Sequence, residues 1–278
     1  MKTISYDKFK NTVKELTIAA IYDLDEEVVE SLKLASKKEE DLSKIILDEI
    51  IENAKIARER RIPICQDTGI VVVFLEIGNL VFCNFSIEKA INEAVKEAYV
   101  EEYFRMSVVG SPITRKNTFT NTPCIIHTKI VEGDSLKITV CPKGAGSENL
   151  SALKMLTPSV GKEGIIDFVI DTVINAGGKV CPPMIVGVGI GGNFEECALI
   201  SKKALLRPIS DQSNDEEALE LEKTIFEKIN NLNIGPMGVG GKTTCLAVKV
   251  NLAPCHIASL PVAVNFQCHA SRHKEAIL

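Results

Sequence analysis

Nine cysteines, four histidines and a modest excess of carboxylates are the chain's chemically capable residues. The cysteines stand at 65, 83, 124, 141, 181, 197, 245, 255 and 268, and no two are spaced as C-x-x-C. Zinc ribbons, thioredoxin-like pairs and ferredoxin-type runs therefore lack their local signatures, and a metal site on these thiols must gather residues far apart in sequence. Context sorts the nine. Cys83, Cys124, Cys141, Cys197 and Cys245 lie in or beside apolar, β-branched or helical runs, where a free thiol packs as a small hydrophobe; Cys255 is counted with them. Cys65, Cys181 and Cys268 sit instead among turn, polar and basic residues, in Cys65-Gln66-Asp67-Thr68-Gly69, Lys179-Val180-Cys181-Pro182-Pro183 and Gln267-Cys268-His269. Loop positions of that kind keep a thiolate accessible and electrostatically stabilised. An odd count, in a chain long enough to need no staples, argues for reduced thiols rather than disulfides.

Three short motifs resemble known sites. Gly187-Val188-Gly189-Ile190-Gly191-Gly192 satisfies the dinucleotide pattern G-x-G-x-x-G, with Asp211 about twenty residues on. Its context is wrong, because Arg207-Pro208 intervenes where a second apolar strand should lie and the βαβ unit is missing. Gly235 to Thr244 resembles a phosphate loop but has one residue too many before Gly241-Lys242, and a β-rich stretch follows it. Its glycines suit either backbone N–H groups turned to an anion such as a carboxylate, or a tight turn before a strand. Asp67-Thr68-Gly69 is the aspartic-protease tripeptide in a single copy, whereas that chemistry needs two carboxylates.

The elements that must position these residues follow from periodicity. The first 60 residues read as helices, with Leu42, Ile45, Ile46, Ile50, Ile51 and Ala54 at helical spacing and Asp23 and Asp25 as caps. Residues 70–77 are β-rich and predict a buried strand. Ser86 caps a helix from 87 to about 103, strands follow near 124–131 and 135–141, and helices near 162–176 and 193–206. The acidic stretch 211–222 leads into a helix ending near Asn231, and strands are expected at 243–250 and 260–266. The expectation is a mixed α/β (α+β) chain forming one domain over 1–278, with a helical region over 1–62 and an α/β region over 63–278.

Composition bounds the function. Of 278 residues, 45% are hydrophobic and 25% charged, an ordinary globular balance. With 32 basic against 37 acidic side chains, the net charge of −5 argues against a nucleic-acid surface. No apolar run approaches a membrane span, and no signal-peptide core follows Met1, so the expectation is a soluble cytoplasmic protein without nucleic-acid or membrane partners.

Taken together, several blocks resemble the class I (iron–sulfur) fumarate hydratases and the related L-tartrate dehydratases. They are residues 65–69, Arg105 to Val109, Asn117 to Pro123, Pro142 to Asn149, Cys181 to Pro183, Gly187 to Gly192, Gly238 to Thr244, and His256 through Cys268 to Arg272, in family order over about three quarters of the chain. The resemblance implies a [4Fe–4S] cluster held by Cys65, Cys181 and Cys268. One iron left open would act as a Lewis acid on a malate-like 2-hydroxy acid. It further implies substrate contacts from Gln66, Arg105, Lys143 and Gly146, and catalytic roles for Asp67 and His256. On residue type alone, Arg105 also suits a surface ion pair, Asp67 an Asx turn and His256 a packed histidine. Cys268 lies ten residues from Leu278, and longer relatives carry a further domain there. The resemblance therefore implies an α subunit completed by a β subunit as αβ or α2β2, acting on a small dicarboxylate, malate or else tartrate. A non-catalytic iron–sulfur sensor and a nucleotide-binding enzyme are the competing readings.

Overall fold

The computed structural model describes residues 2–278. In chain order the elements are β1 (Lys2–Ile4), α1 (Tyr6–Tyr22), α2 (Glu26–Ser36), α3 (Asp41–Arg60), β2 (Ile70–Gly78), β3 (Val81–Cys83), α4 (Ile87–Glu101), β4 (Ile125–Val131), β5 (Leu136–Lys143) and α5 (Ala145–Glu148). There follow β6 (Ala152–Leu156), α6 (Gly161–Ala176), β7 (Met184–Gly192), α7 (Phe194–Ala204), α8 (Glu216–Asn230), β8 (Cys245–Cys255), β9 (Leu260–Gln267) and β10 (Lys274–Ile277). The mixed α/β class is as expected. Five strands are absent from the sequence reading. Four of them, β1, β3, β6 and β10, have three to five residues each, too few to carry a legible alternation. The fifth, β7, has nine, but its glycines at 187, 189, 191 and 192 interrupt the apolar pattern.

The chain divides into two compact units, each discontinuous in sequence. The first comprises Met1–Leu24, Ala54–Ala145 and Arg272–Leu278. Its four-stranded sheet has the order β10-β5-β2-β4, with β2 antiparallel to β5 and parallel to β4. Alternate residues Val71, Val73 and Leu75 of β2 and Leu136, Ile138 and Val140 of β5 point to one face. There they pack with Phe9, Val13 and Ile21 of α1 and Ile91, Val95 and Tyr99 of α4. Ser86 caps α4 as the sequence predicts, its hydroxyl accepting from the Lys89 N–H at 3.3 Å.

The second unit comprises Asp25–Asn53 and Gly146–Ser271. Its sheet has the order β6-β9-β7-β8, with β7 parallel to β8 and antiparallel to β9. Val186, Val188, Val248, Val250, Val264 and Phe266 form a core with α6 and α8. On the opposite face α7 lies directly on β7. A Cβ at Gly187 would come 2.3 Å from the Ser201 carbonyl oxygen, and one at Gly189 would come 2.1 Å from that of Cys197. These glycines are therefore inside a strand and admit a helix, which accounts for the nucleotide-like spelling without a nucleotide. Among the described residues, no helix is long and apolar enough to cross a membrane.

Candidate functional site

Residues 61–69 leave α3 and enter β2 as a loop whose far end is fixed by side chains of the first unit. Tyr99 donates its hydroxyl to the Thr68 carbonyl at 2.7 Å, Thr68 donates Oγ1 to the Arg105 carbonyl at 2.6 Å, and Asn121 donates Nδ2 to the Gly69 carbonyl at 3.0 Å. Burial pushes the Tyr99 phenol well up, so it serves as a neutral donor. Asp67 is held on three sides. Its Oδ1 accepts from the Gly69 N–H at 3.0 Å, its Oδ2 from the Ala145 N–H at 2.7 Å, and its carbonyl from Arg272 Nη1 at 2.7 Å. The Asx-turn alternative for Asp67 is thus realised in the geometry. The Asp67 N–H in turn donates to Cys65 Sγ at 3.4 Å.

The other predicted residues of this unit divide by exposure. Gln66 and Arg105 present their side chains to solvent. Lys143, by contrast, is only 1% exposed, at the end of β5 opposite Ile70. Gly146, which the second unit contains, is exposed in the first turn of α5.

Cys181 and Cys268 belong to the second unit, at one end of its sheet. Cys181 closes a short 3₁₀ turn (Gly177–Val180) in the left-handed region, φ 57°, just before β7. Cys268 follows the last residue of β9, and the register pairs Ile185 with Gln267. The two loops are joined by His269, whose N–H donates to the Cys181 carbonyl at 3.2 Å. Its Nδ1 also lies 3.0 Å from that oxygen. Residue type alone gives His269 no role. Its position directly after Cys268 was the available signal.

His256 is at the other end. It sits on the turn between β8 and β9, where Gly192 of β7 pairs with Cys255, and the intervening ladder spans roughly 25 Å at about 3.3 Å per residue. There it is exposed, accepting the Ala258 N–H at Nδ1 (3.1 Å), and lines a cavity of about 510 Å³ with Lys162, Glu217 and Glu220. The second unit thus brings Cys181 and Cys268 together and leaves His256 apart from both.

Burial acts on five of the six other thiols. Desolvation raises Cys83 and Cys197 and pushes Cys124 and Cys245 up to about 12, while Cys141 is buried. Thiols so raised are inert packing groups. Cys255 departs from the expectation of a packing residue: it is exposed, because β8 runs on past its buried part to the sheet edge of the turn. Cys65, Cys181 and Cys268 are all half-buried. Among the described residues, no three His, Cys, Asp or Glu side chains are drawn together as a group able to hold a metal ion.

The phosphate-loop lookalike already holds an anion of its own. Glu39, 4% exposed, accepts from the Lys242 N–H at 3.0 Å and the Thr243 N–H at 2.5 Å, with the Ser43 hydroxyl donating at 3.1 Å. Burial alone would raise the Glu39 carboxyl, but these donors outweigh it and hold it below the usual range. Of the two readings of these glycines the anion-facing one is realised, with an internal carboxylate.

The comparisons bear out the family that the sequence resembles. The family model described as Fumarate hydratase (Fumerase) matches residues 10–277. A protein of Methanocaldococcus jannaschii named "Putative L(+)-tartrate dehydratase subunit alpha" is 47% identical over 273 residues, covering 95% of this chain and 95% of that one. The L(+)-tartrate dehydratase subunit alpha of Escherichia coli strain K12 is 32% identical over 275 residues, covering 98% of this chain and 91% of that one. With a match over nearly its whole length, the chain belongs to the fumarate hydratase family of hydro-lyases.

Proposed function

We propose that the chain is the α subunit of a cytoplasmic [4Fe–4S]-dependent hydro-lyase that reversibly dehydrates (S)-malate to fumarate. On this reading residues 1–278 work as one functional domain with a β subunit, in an αβ or α2β2 assembly. The observation that carries the reading is the division of the thiols in a chain of this family. Cys65, Cys181 and Cys268 are half-buried on loops, while Cys83, Cys124, Cys197 and Cys245 have thiols raised by burial. This donor set fits the cluster: soft thiolates suit iron–sulfur centres, and the Asp67 N–H on Cys65 Sγ is the kind of hydrogen bond that tunes them. When bound, the cluster supplies a Lewis-acidic iron with an open position for a hydroxyl oxygen.

The chain's own residues then bind and orient. Arg105 offers an exposed guanidinium fork to one carboxylate, and Gln66 an exposed amide beside Cys65. Gly146 offers a backbone donor at the start of α5. Lys143 is buried, so it acts through the backbone that leads into residues 144–147 rather than as an open ammonium. Asp67 is oriented by two backbone donors and handles the proton of the carbon next to the hydroxyl-bearing one. His256 shares that proton chemistry from a second α copy, since in its own chain it lies a sheet length from Cys181 and Cys268.

L-tartrate is the second reading, favoured by the relatives' names. Malate and tartrate differ by one hydroxyl, so turnover of both by the anaerobically reconstituted α and β chains decides between them. Water loss from malate supports the first reading, preferential turnover of tartrate the second. Neither activity, with no iron bound, overturns both.

A further inference from the structure

The residue that fixes the Cys65–Asp67 loop lies at the far end of the sequence. Arg272 is four residues beyond Cys268, just before β10. The antiparallel pairing of Lys274 with Val140 leaves the residues just before β10 near the end of β5, so Arg272 lies beside Gly144. Its side chain is 3% exposed, and its Nη1 donates to the Asp67 carbonyl at 2.7 Å. A Cβ at Gly144 would lie 3.3 Å from Arg272 Nη2 and 3.2 Å from Asp67 Oδ2. The absent side chain at 144 is what lets guanidinium and carboxylate close on the same spot. Arg272 Nε is buried with no hydrogen-bond partner. A buried unsatisfied donor weakens a fold, so packing alone would be better served by a neutral side chain.

We propose that Arg272 is a positioning residue for the site loop. By gripping the Asp67 carbonyl it fixes the residue whose N–H donates to Cys65 Sγ and whose carboxylate accepts from the Gly69 and Ala145 N–H groups. Arg272 thereby sets the direction of a thiol, an amide and a carboxylate that it does not itself carry. The assignment deepens the proposed function and rests on its reading of Cys65 and Asp67 as site residues.

Hydrogen exchange on the iron-free full chain tests it. In Arg272→Ala, the amides of Asp67, Gly69 and Ala145 should exchange about tenfold faster, with the cores of both units unchanged. Arg272→Lys, which keeps one donor and the charge, should restore part of that protection, and added ethylguanidinium should restore it in Arg272→Ala. Unchanged exchange at the three amides overturns the proposal, as does uniform acceleration across the chain. If Arg272→Ala does not fold, Arg272→Lys must still show the local effect, and failure to do so is equally decisive. Iron and sulfide analysis of the wild-type chain is read separately. Local exchange effects with no iron bound would sink the cluster reading alone.

Discussion

One thiol, set in nine surroundings, gives different chemistry. Apolar packing takes Cys124 and Cys245 up to about 12, beyond use as thiolates at neutral pH. Cys65 receives a backbone N–H instead, and the Cys181 and Cys268 loops share the His269 contact. Replacing Cys65, Cys181 or Cys268 singly with Ser should abolish iron and sulfide binding after anaerobic reconstitution, while Cys83→Ser should retain it. Retention by any of the first three, measured as iron per chain, would remove that residue from the ligand set. These three positions were legible from the residues around them, because glycine, proline and polar neighbours mark a loop. His269 and Arg272 were not legible, because a histidine and an arginine near a terminus are common and only their partners identify them.

At the scale of elements, two glycine motifs looked like ligand sites and prove to be internal fittings. The glycines of β7 make room for α7, and the loop at 240–243 wraps the Glu39 carboxylate between α2 and α3. Glu39 is held charged below its ordinary range, so its stabilising effect is present above the unfolded value of roughly 4.3 and is lost as pH falls through the lower folded value. Glu39→Gln should therefore cost about 1–3 kcal/mol at pH 7, the worth of hydrogen bonds to a charged group. The difference in melting temperature from wild type should shrink as the pH is lowered below about 4. A gap constant from pH 7 to pH 3 would show that the carboxylate charge does not hold the loop. The long helices and the long strands other than the glycine-rich β7 were readable from periodicity. The short strands and the occupant of the loop were not, since the first carry too few residues and the second is some two hundred positions away.

At the scale of the molecule, strand direction decides which predicted residues can share a site. β7 and β9 are antiparallel and meet at Cys181 and Cys268, whereas β8 runs parallel to β7 and carries His256 to the opposite end. If His256 serves the site, a second α copy supplies it. Co-assembling Cys65→Ala with His256→Ala chains, each inactive alone, should recover about a quarter of wild-type activity. Half of random pairs are mixed, and each mixed pair keeps one intact site of two. No recovery, with mixed assemblies present by mass spectrometry, would exclude the shared site.

By itself the sequence determined the fold class, the family and the loop setting of Cys65, Cys181 and Cys268. Periodicity, neighbouring residue types and motif order are local properties, written along the chain. Tertiary structure alone decided that Glu39 fills the glycine loop, that Arg272 grips the Asp67 carbonyl and that His256 lies a sheet length from Cys181 and Cys268. Each of these depends on strand order, direction and register, which bring together or separate residues whatever their distance in sequence.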